Sequence, residues 1–323
     1  MNVLVTGGAG YIGSFMIDHL LERGDKVFVV DSLERGFKEE INPKAKFSQG
    51  NLLDKEFLST LFNDNQFDCV IHFAGFISMA ESMKNPRIYF ENNTFGSLNL
   101  IDVAAKNKVR SFVFSSTAGV YGNPKKIPIP EDHPLNPTNP YGESKLVVEK
   151  ILMWYQKLFG INFVSLRYFN ASGGSLDGKR GERHDPETHI IPLAIKSVLE
   201  DRPFKLFGID YSTPDGTCIR DYIHVIDLAE AHVLALEKLK KDKGGFFYNV
   251  GTGRGHSNRE VLEMVKKVSG RTPTIIEEKR RSGDAEILIA DVQKINRELD
   301  FSPKYSDLKT IVETAWRWHR NQI

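Results

Sequence analysis

A tyrosine and a lysine lie four residues apart in the segment NPYGESKLVVEK, at Tyr141 and Lys145. Residues at this spacing lie on one face of a helix, so the lysine ammonium can reach the neighbourhood of the phenol ring. A nearby positive charge favours the ionised form of a phenol. The pair could therefore pass a proton to and from an alcohol, although the pattern alone also fits a packed tyrosine and a solvated lysine.

A glycine-rich turn near the start of the chain indicates a cofactor. The segment VLVTGGAGYIG places Gly8, Gly10 and Gly13 directly after a predicted strand and before a predicted helix. Glycines at this spacing allow a tight turn and a close approach of the backbone to a pyrophosphate, which binds at the helix N-terminus. Asp31 ends the next predicted strand, where a carboxylate accepts ribose hydroxyls and repels a 2′-phosphate. The pattern predicts NAD rather than NADP, although Arg35 close by weakens that preference.

A nicotinamide cofactor would give the Tyr141 hydroxyl a defined task, because hydride transfer to or from an alcohol also moves a proton. A free phenol has a pKa of about 10, and bringing it near neutrality takes roughly 4 kcal/mol. A unit charge ~5 Å away supplies about 3 kcal/mol at an effective dielectric constant of about 20. We therefore predict that Lys145, helped by oxidised nicotinamide, lowers the pKa of Tyr141.

Three consecutive hydroxyl residues, Ser115, Ser116 and Thr117, end a later predicted strand in FVFSSTAGVYG. Ligands collect at the carboxyl ends of the strands in an open sheet. One of these hydroxyls could bridge a substrate oxygen and the phenol. The alternative is that they bind nearby backbone groups.

Composition excludes several other classes of protein. The 323 residues carry 43 Lys and Arg against 42 Asp and Glu, a net charge of +1, which argues against nucleic-acid binding through a broad basic face. The start MNVLV leads into TGGAG without a signal peptide, and no apolar run approaches membrane-spanning length, so we expect a cytoplasmic protein. Cys69 and Cys218 form no Cys-x-x-Cys pair. We predict a buried Cys69 thiol and no metal site.

Short β-branched runs alternate with amphipathic stretches in the first half of the chain, which predicts an α/β protein with a doubly wound parallel (Rossmann) sheet. Predicted strands are Asn2–Val5, Lys26–Val30, Lys46–Gln49, Cys69–Ala74, Ser111–Ser115, Asn162–Tyr168 and Phe246–Val250. Predicted helices are Tyr11–Arg23, Lys55–Asn63, Tyr89–Asn107 and Tyr141–Phe159, with later ones opening at Asp227, after a capping box at Ser257 and Glu260, and at the C-terminal end.

Seven segments together are similar to the extended short-chain dehydrogenase/reductase family, and within it to the 4-epimerases of nucleotide sugars. They are VLVTGGAGYIGS, VIHFAG, FSSTAGVYG, NPYGESK, LRYFNASG, DGTCIRDYIHVIDLA and YNVGTG. The resemblance implies NAD as a prosthetic group and a UDP-hexose substrate, UDP-glucose or UDP-galactose. It implies that Tyr141 takes the 4-hydroxyl proton while hydride passes from C4 to NAD. The transient 4-keto intermediate then turns over, and hydride returns to its other face.

The resemblance also implies a role for individual residues. The catalytic positions are Tyr141, Lys145 and Thr117. The cofactor positions are Gly7, Gly10, Tyr11, Ile12, Gly13, Asp31, Ser32, Asn51, Leu52, Phe73, Ala74, Gly75, Asn92, Ser115, Tyr141, Lys145, Tyr168 and Phe169. The substrate positions are Thr117, Tyr141, Asn170, His189, Ile190, Lys205, Leu206, Phe207, Arg220, Tyr222, Arg281, Asp284 and Leu288.

Four positions depart from the family pattern. Asn51 stands where the family usually has Asp, and Ile77 where many relatives place a cofactor-contacting Lys, so retention of NAD could be weaker. Thr117 replaces the commoner Ser but keeps the hydroxyl. Leu288 falls where Tyr restricts the site to glucose and galactose and small residues admit N-acetylated sugars, so it leaves the choice of sugar open.

Three other functions share parts of this pattern. A nucleotide-sugar 4,6-dehydratase carries Asp-Glu after the catalytic Thr, whereas Ala118-Gly119 follow here. A 4-epimerase of a UDP-N-acetylhexosamine, UDP-pentose or UDP-uronate would use the same machinery and stays open. A non-catalytic NAD-sensing protein typically loses the Tyr or the Lys, and this chain keeps both.

The expected architecture is an NAD-binding domain over residues 1–170 and 218–251. A smaller mixed α/β lobe over residues 171–217 and 252–323 would bind the nucleotide sugar. Relatives are often homodimers packed through two helices per subunit, which here would be Tyr89–Asn107 and Tyr141–Phe159. Neither membrane nor nucleic acid is an expected partner.

Overall fold

The computed structural model describes residues 1–281 and 284–322. The chain forms two compact units. Unit 1 comprises Met1–Asn123, Pro134–Tyr168 and Ala229–Tyr248, and unit 2 comprises Pro124–His133, Phe169–Leu228 and Asn249–Ile323. These bounds differ from the expected domains chiefly at residues 124–133 and 218–228, and at the short stretches 169–170 and 249–251. The second difference arises because the strand Ile219–His224 pairs with strands of unit 2 and not with the large sheet.

The described residues form the following strands and helices, numbered in chain order. The strands are β1 Asn2–Thr6, β2 Lys26–Asp31, β3 Lys46–Gln49, β4 Cys69–His72, β5 Ser111–Thr117, β6 Asn162–Tyr168, β7 Asn170–Ser172, β8 Phe204–Phe207, β9 Ile219–His224, β10 Gly245–Val250, β11 Gly255–Ser257, β12 Ile275–Glu278 and β13 Ile287–Leu288. The helices are α1 Tyr11–Glu22, α2 Lys55–Asp64, α3 Met79–Lys84, α4 Pro86–Tyr89, α5 Gly96–Lys106, α6 Pro140–Phe159, α7 Ile190–Leu199, α8 Val225–Lys241, α9 Asn258–Ser269, α10 Gln293–Leu299 and α11 Leu308–Arg320.

The large sheet has seven strands in the order β10-β6-β5-β4-β1-β2-β3. Strands β1 to β6 pair in parallel, and their apolar residues are buried except for Phe28 and Phe47, as expected for a sheet covered on both faces. The predicted Rossmann sheet is therefore confirmed. Strand β1 lies between β2 and β4, so the strand order reverses at the centre of the sheet. Open α/β sheets bind ligands at the carboxyl ends of the strands where this reversal occurs.

The predicted helix Tyr89–Asn107 is interrupted. Helix α4 runs into a π-helical turn, Phe90–Phe95, before α5 begins at Gly96. Such turns insert an extra residue into a helix and often occur at functional sites. Here the turn carries Asn93, which is only 1% exposed. Its polar side chain is therefore buried, which the spacing of a regular α-helix does not predict.

Unit 2 is organised around β9 and a helical layer. Strand β9 pairs in parallel with β7 and β13 and antiparallel with β11, while β8 and β12 form a separate parallel pair. Helices α7, α9 and α11 bury their apolar faces in one core. The predicted capping box at Ser257 and Glu260 is present, whereas α8 begins at Val225, two residues before the predicted start. Within the described part of the chain, every helix is too short or too polar to cross a lipid bilayer.

Candidate active site

The glycine turn between β1 and α1 has the conformation that its sequence requires. Gly7 has φ +74°, and a Cβ there would lie 2.5 Å from the backbone nitrogen of Ala74. A Cβ on Gly13 would lie 2.3 Å from the Gly7 carbonyl oxygen, so side chains are excluded at both positions. Gly10 is the N-cap of α1 and provides no side chain to bind the N–H groups of the first turn. A phosphate is the usual partner for such a helix end.

Asp31 stands at the end of β2, next to this turn. Its Oδ2 accepts the Ala9 N–H at 3.0 Å and its Oδ1 accepts the Leu33 N–H at 2.9 Å. Burial raises the pKa of the carboxyl group, while these two backbone N–H groups oppose that shift. The carboxylate is thus fixed in orientation by the chain at the position predicted for the adenosine ribose.

The loop after β4 is held by Asn93 from the π-helical turn. The Asn93 side chain accepts the Phe76 N–H at 2.8 Å and donates to the Phe76 carbonyl at 2.9 Å and to Ser144 Oγ at 3.1 Å. A Cβ on Gly75 would lie 3.3 Å from Lys145 Nζ. The predicted cofactor segment Phe73–Gly75 therefore lies beside the predicted catalytic lysine. Sequence reasoning chose Asn92 here and missed Asn93, to which the Asn92 amide donates.

Helix α6 places Tyr141 and Lys145 over the end of β5. The helix begins properly because the Asn139 side chain accepts the Gly142 N–H at 2.9 Å, with Pro140 in the first turn. Lys145 is 3% exposed and donates from Nζ to the Ser115 carbonyl at 2.9 Å. Thr117 forms a side-chain hydrogen bond with Tyr141. The three predicted catalytic residues are thus brought together within unit 1.

Without the charge of a bound cofactor, the pKa of Tyr141 lies above its usual value, so the lowering expected in the NAD-bound site stays a prediction. Burial raises the pKa of the phenol, and the hydrogen bond with Thr117 opposes this without reversing it. Lys145 is buried too, which lowers its pKa to about 8 because burial disfavours the charged amine. The spacing of the two residues indicates the attraction between phenolate and ammonium, but it does not indicate the cost of removing both groups from water.

The other predicted cofactor residues of unit 1 surround these elements. Tyr11 and Ile12 open α1, and Tyr168 ends β6, where its hydroxyl contacts Ser115 Oγ. Ser32 follows β2, and Asn51 and Leu52 follow β3. The Asn51 side chain accepts the Leu53 N–H at 2.9 Å, so it shapes its own turn, and Leu52 is buried in the core.

A buried ion pair beneath Tyr141 and Lys145 was missed by sequence reasoning. Glu149 Oε2 accepts from Arg167 at 2.7 Å, and its Oε1 accepts from Arg167 Nε at 3.0 Å, from Ser116 at 2.6 Å and from Ser165 at 2.8 Å. The pair joins α6 to β5 and β6. A signal was available, because Glu149 continues the four-residue spacing of Tyr141 and Lys145 on one face of the helix.

In unit 2, strand β9 gathers several of the predicted substrate residues. Asn170 on β7 is in register with Tyr222, and Leu288 on β13 is in register with Arg220. The Asn170 amide donates to the Asp221 carbonyl at 3.0 Å. Phe169, a predicted cofactor contact, directly precedes β7, and its backbone N–H donates to the Val250 carbonyl.

Two arginines lie close to this small sheet. Arg220 lies 4.0 Å from Asp284, whose backbone N–H donates to the Arg281 carbonyl, and the Arg281 guanidinium stacks 4.0 Å from the centre of the Phe207 ring. Residues 282–283 of the segment RRSGD lie outside the described residues. The structure therefore brings together Arg220, Arg281, Asp284 and Phe207, a set suited to an anionic ligand with an aromatic base.

The remaining substrate positions differ in their exposure. Lys205 is exposed on β8, but Leu206 and Tyr222 lie in the core of unit 2, so the backbone of these two residues is what a ligand could contact. Ile190 is the first residue of α7. His189 precedes it, and its Nδ1 atom faces Glu182.

These residues fit the predicted cofactor. The glycines let the turn pack tightly against its own backbone and that of Ala74, the first turn of α1 lacks a side-chain cap, and Asp31 is fixed beside it. Gly7, Gly10, Gly13 and Asp31 would hold the adenosine and pyrophosphate portion of NAD.

Comparison with known proteins supports the same conclusion. The model of the NAD dependent epimerase/dehydratase family matches residues 3–251. A UDP-glucose 4-epimerase of Streptococcus mutans is 48% identical to the chain, over 99% of it and 97% of the relative. Two solved structures are also similar. The UDP-glucose 4-epimerase of Brucella ovis in complex with NAD has a TM-score of 0.94 at 43% identity, covering 98% of this chain and 97% of the other. The UDP-Glc/GlcNAc 4-epimerase of Campylobacter jejuni has a TM-score of 0.87 at 40% identity, covering 99% of each.

These matches confirm the predicted epimerase class, the fold and the dependence on NAD. They extend over nearly the whole chain, including the turn at Gly7–Gly13 and the pair at Tyr141 and Lys145. The chain therefore belongs to the NAD dependent epimerase/dehydratase family.

Proposed function

We propose that the chain interconverts UDP-glucose and UDP-galactose by inverting the configuration at C4 of the sugar. The observation that carries this proposal is the arrangement at the end of β5, where Thr117, Tyr141 and Lys145 meet beside the glycine turn. The names of its relatives favour the same reaction. When bound, NAD supplies the acceptor and donor of hydride.

In this proposal, residues of the chain transfer one proton and hold in place the groups that exchange it. Tyr141 accepts the proton of the sugar 4-hydroxyl and later returns it. Thr117, through its hydrogen bond with Tyr141, holds the phenol and the sugar oxygen in line. Lys145 binds the ribose next to the nicotinamide and favours the phenolate. Because burial raises the pKa of the phenol in the protein itself, charge on the bound cofactor has to help lower it.

Unit 2 supplies the groups for the nucleotide. Arg220 and Arg281 provide two fixed positive charges, which suit a diphosphate. Asn170 and Asp284 provide polar contacts, and Phe207 provides an aromatic surface for the base. His189, Ile190 and Lys205, with the backbone of Leu206 and Tyr222, complete the proposed nucleotide contacts, and Leu288 limits the sugar.

A second substrate class is supported by one observation. Leu288 is smaller than a tyrosine, and one similar protein is named for acting on both UDP-Glc and UDP-GlcNAc. UDP-N-acetylglucosamine is therefore the alternative substrate. UDP-pentoses and UDP-uronates stay further alternatives.

The homodimer and the cytoplasmic location remain predictions. The predicted dimer helices do carry apolar side chains that are exposed in the single chain: Phe95 is 56% exposed, Trp154 58% and Leu158 64%. A second copy of the chain would cover them. Light scattering after size exclusion should give twice the chain mass, and a Trp154→Glu variant should shift the protein to the monomer.

The experiment that tests the function needs no added cofactor. Purified protein is incubated with UDP-glucose, and in parallel with UDP-N-acetylglucosamine, and the products are separated by chromatography. We expect UDP-galactose to form, and heat-denatured protein to release NAD or NADH. Absence of both results would favour the non-catalytic alternative. Turnover of the N-acetylated sugar at a similar rate would broaden the substrate class.

A further inference from the structure

Four side chains with metal-binding atoms converge in the loop before α7. Glu182, His184, Glu187 and His189 each offer one oxygen or nitrogen, and these four atoms all lie within 4.8 Å of one another. We call this set the 182–189 cluster. It belongs to unit 2, and apart from His189 none of its members was assigned a role from the sequence.

The distances within the 182–189 cluster resemble those around a tetrahedral metal ion. Two atoms bound to a tetrahedral zinc at about 2.0–2.2 Å lie about 3.3–3.6 Å apart. Glu182 Oε1 lies 3.3 Å from His184 Nδ1, and Glu187 Oε1 lies 3.6 Å from the Nδ1 atoms of His184 and His189. The contact of 2.5 Å between Glu182 Oε1 and His189 Nδ1 is shorter and would lengthen around an ion.

A second observation concerns the buried carboxylate oxygens of the cluster. Glu182 is 3% exposed, and its Oε1 atom is fully buried without a hydrogen bond to any described residue. The neighbouring imidazole nitrogens are close enough, but the contacts lack hydrogen-bond geometry. Burying a carboxylate oxygen in this way is costly unless a hydrogen bond or a metal ion compensates. Glu187 differs in part, since its Oε1 accepts two backbone N–H groups while its Oε2 is buried without a partner.

We propose that the 182–189 cluster is a structural zinc site, closed by Glu182, His184, Glu187 and His189. Imidazole nitrogens and carboxylate oxygens are ligands that zinc accepts, and four protein ligands leave no open position for chemistry. The proposal replaces the prediction that the chain has no metal site. It shares only His189 with the proposed nucleotide contacts and includes no catalytic residue, so zinc content and thermal unfolding test it separately from the epimerase reaction.

The position of the cluster explains what the metal would do. The loop leads directly into α7, whose first residue is Ile190, and the Trp318 indole donates to the Glu182 carbonyl at 3.3 Å. A metal ion would fasten a loop that has little regular structure of its own. It would thereby fix the start of α7 and the contact with α11, a stabilising effect of the kind that structural metal sites provide.

The rival explanation is a metal-free ion network. Burial alone would lower the pKa of His189, but Glu182 and Glu187 raise it to about 10, and the pKa of His184 is raised to about 9. In this alternative, two protonated histidines balance two carboxylates. Both explanations use the same residues, so metal content has to distinguish them.

The test measures zinc on the full-length protein prepared without a histidine tag. Protein purified from zinc-supplemented medium is analysed by mass spectrometry of the elements and by thermal unfolding. We expect one zinc per chain, and a lower unfolding temperature after removal of the metal by a chelator. Cobalt put in place of zinc should show the intense visible absorption of a tetrahedral site.

Variants locate the site. Glu182→Gln and His189→Gln should lose the zinc, whereas His256→Gln, at a partly exposed position elsewhere in unit 2, should retain it. Wild-type protein that holds no stoichiometric zinc after supplementation would overturn the proposal and favour the ion network. Zinc retained in both cluster variants would overturn it too. Should the variants fail to fold, the zinc content and chelator response of the wild type decide.

Discussion

Two clusters of buried charge, one in each unit, can be compared atom by atom. In unit 1, both oxygens of Glu149 are occupied by hydrogen bonds from Arg167, Ser116 and Ser165. In unit 2, Glu182 is buried as deeply, yet its Oε1 atom has no hydrogen bond to a described residue. A set of charges whose hydrogen bonds are complete serves to fix geometry, whereas a buried carboxylate oxygen without a hydrogen bond is the observation on which the zinc proposal depends.

The polar side chains on one face of helix α6 also differ in what they contact. Tyr141, Lys145 and Glu149 share one face of α6. Tyr141 lies beside Thr117, and Lys145 lies beside Gly75 and the Ser115 carbonyl. Glu149 instead anchors the helix to β5 and β6. Changes at Tyr141 should therefore affect the reaction, and changes at the ion pair should affect the fold.

The largest effect is expected for Tyr141→Phe. Removing the hydroxyl removes the proposed proton acceptor, and general acid–base groups contribute typically ~10²–10⁴-fold to rate. We expect a loss of that size in kcat for UDP-galactose, with the NAD content unchanged. Tyr155→Phe is the matched control, because this tyrosine lies on the same helix and donates to Asp102 away from the site. Full activity of Tyr141→Phe would contradict the proposed role.

The next effect is expected for Arg167→Met. This variant leaves Glu149 buried without its charge partner, which costs about 3–5 kcal/mol in the free energy of unfolding. The control is Arg87→Met, whose partner Glu91 lies one helical turn away and whose side chain is 86% exposed. The control should lose less than about 0.5 kcal/mol. Urea unfolding of both variants measures the difference, and equal losses would remove the distinction drawn here for unit 1.

A smaller effect is expected from pH, through a buried histidine of unit 1. His72 lies between the hydroxyls of Thr6 and Ser97, at 2.7 Å from each, and burial lowers its pKa to about 3. The unfolded chain, with a histidine pKa of about 6.5, binds more protons between these values. Stability should therefore fall as the pH falls below about 6.5, by roughly 2 kcal/mol at about pH 5 from this group.

A His72→Gln variant removes this contribution. Its urea midpoint should depend less on pH than that of the wild type over the same acidic range, whatever the stability of the variant near neutrality. An identical dependence in the two proteins would show that His72 is not held neutral in the folded state.

The smallest effect is expected for Thr117→Ser. Serine keeps the hydroxyl that bonds with Tyr141 and that accepts the Gly119 N–H at 3.0 Å. Activity should stay within about threefold, whereas Thr117→Val, which loses a hydrogen bond of about 1 kcal/mol or more, should fall roughly fivefold or further. Equal activities of the serine and valine variants would show that the hydroxyl takes no part.

The features predicted correctly from the sequence depend on local patterns. The parallel sheet follows from alternating strands and helices, and the turn at Gly7–Gly13 follows from glycines between two regular elements. The π-helical turn at Phe90–Phe95 and the early start of α8 were missed, because tertiary packing decides where a helix begins and bulges.

The electrostatic features depend on residues that are distant in the sequence. Glu149 meets Arg167 through the packing of α6 on β6, and burial sets the direction of the Tyr141 pKa. Neither the partners nor the depth of a side chain can be read from spacing alone. The 182–189 cluster differs, because its four potential ligands lie within one short loop and can be seen in the sequence. Only the structure shows that their ligand atoms converge.

The side chain of Asn93 has consequences for how the protein tolerates mutation. Its amide oxygen accepts from Phe76 and Asn92, and its amide nitrogen donates to Phe76 and Ser144, so every hydrogen-bonding position of the group is occupied. Aspartate cannot donate, serine is too short, and glutamine is too long for the same four partners. When a library of substitutions at Asn93 is selected for growth on galactose, we expect as few variants to survive as at a position whose side chain contacts the sugar.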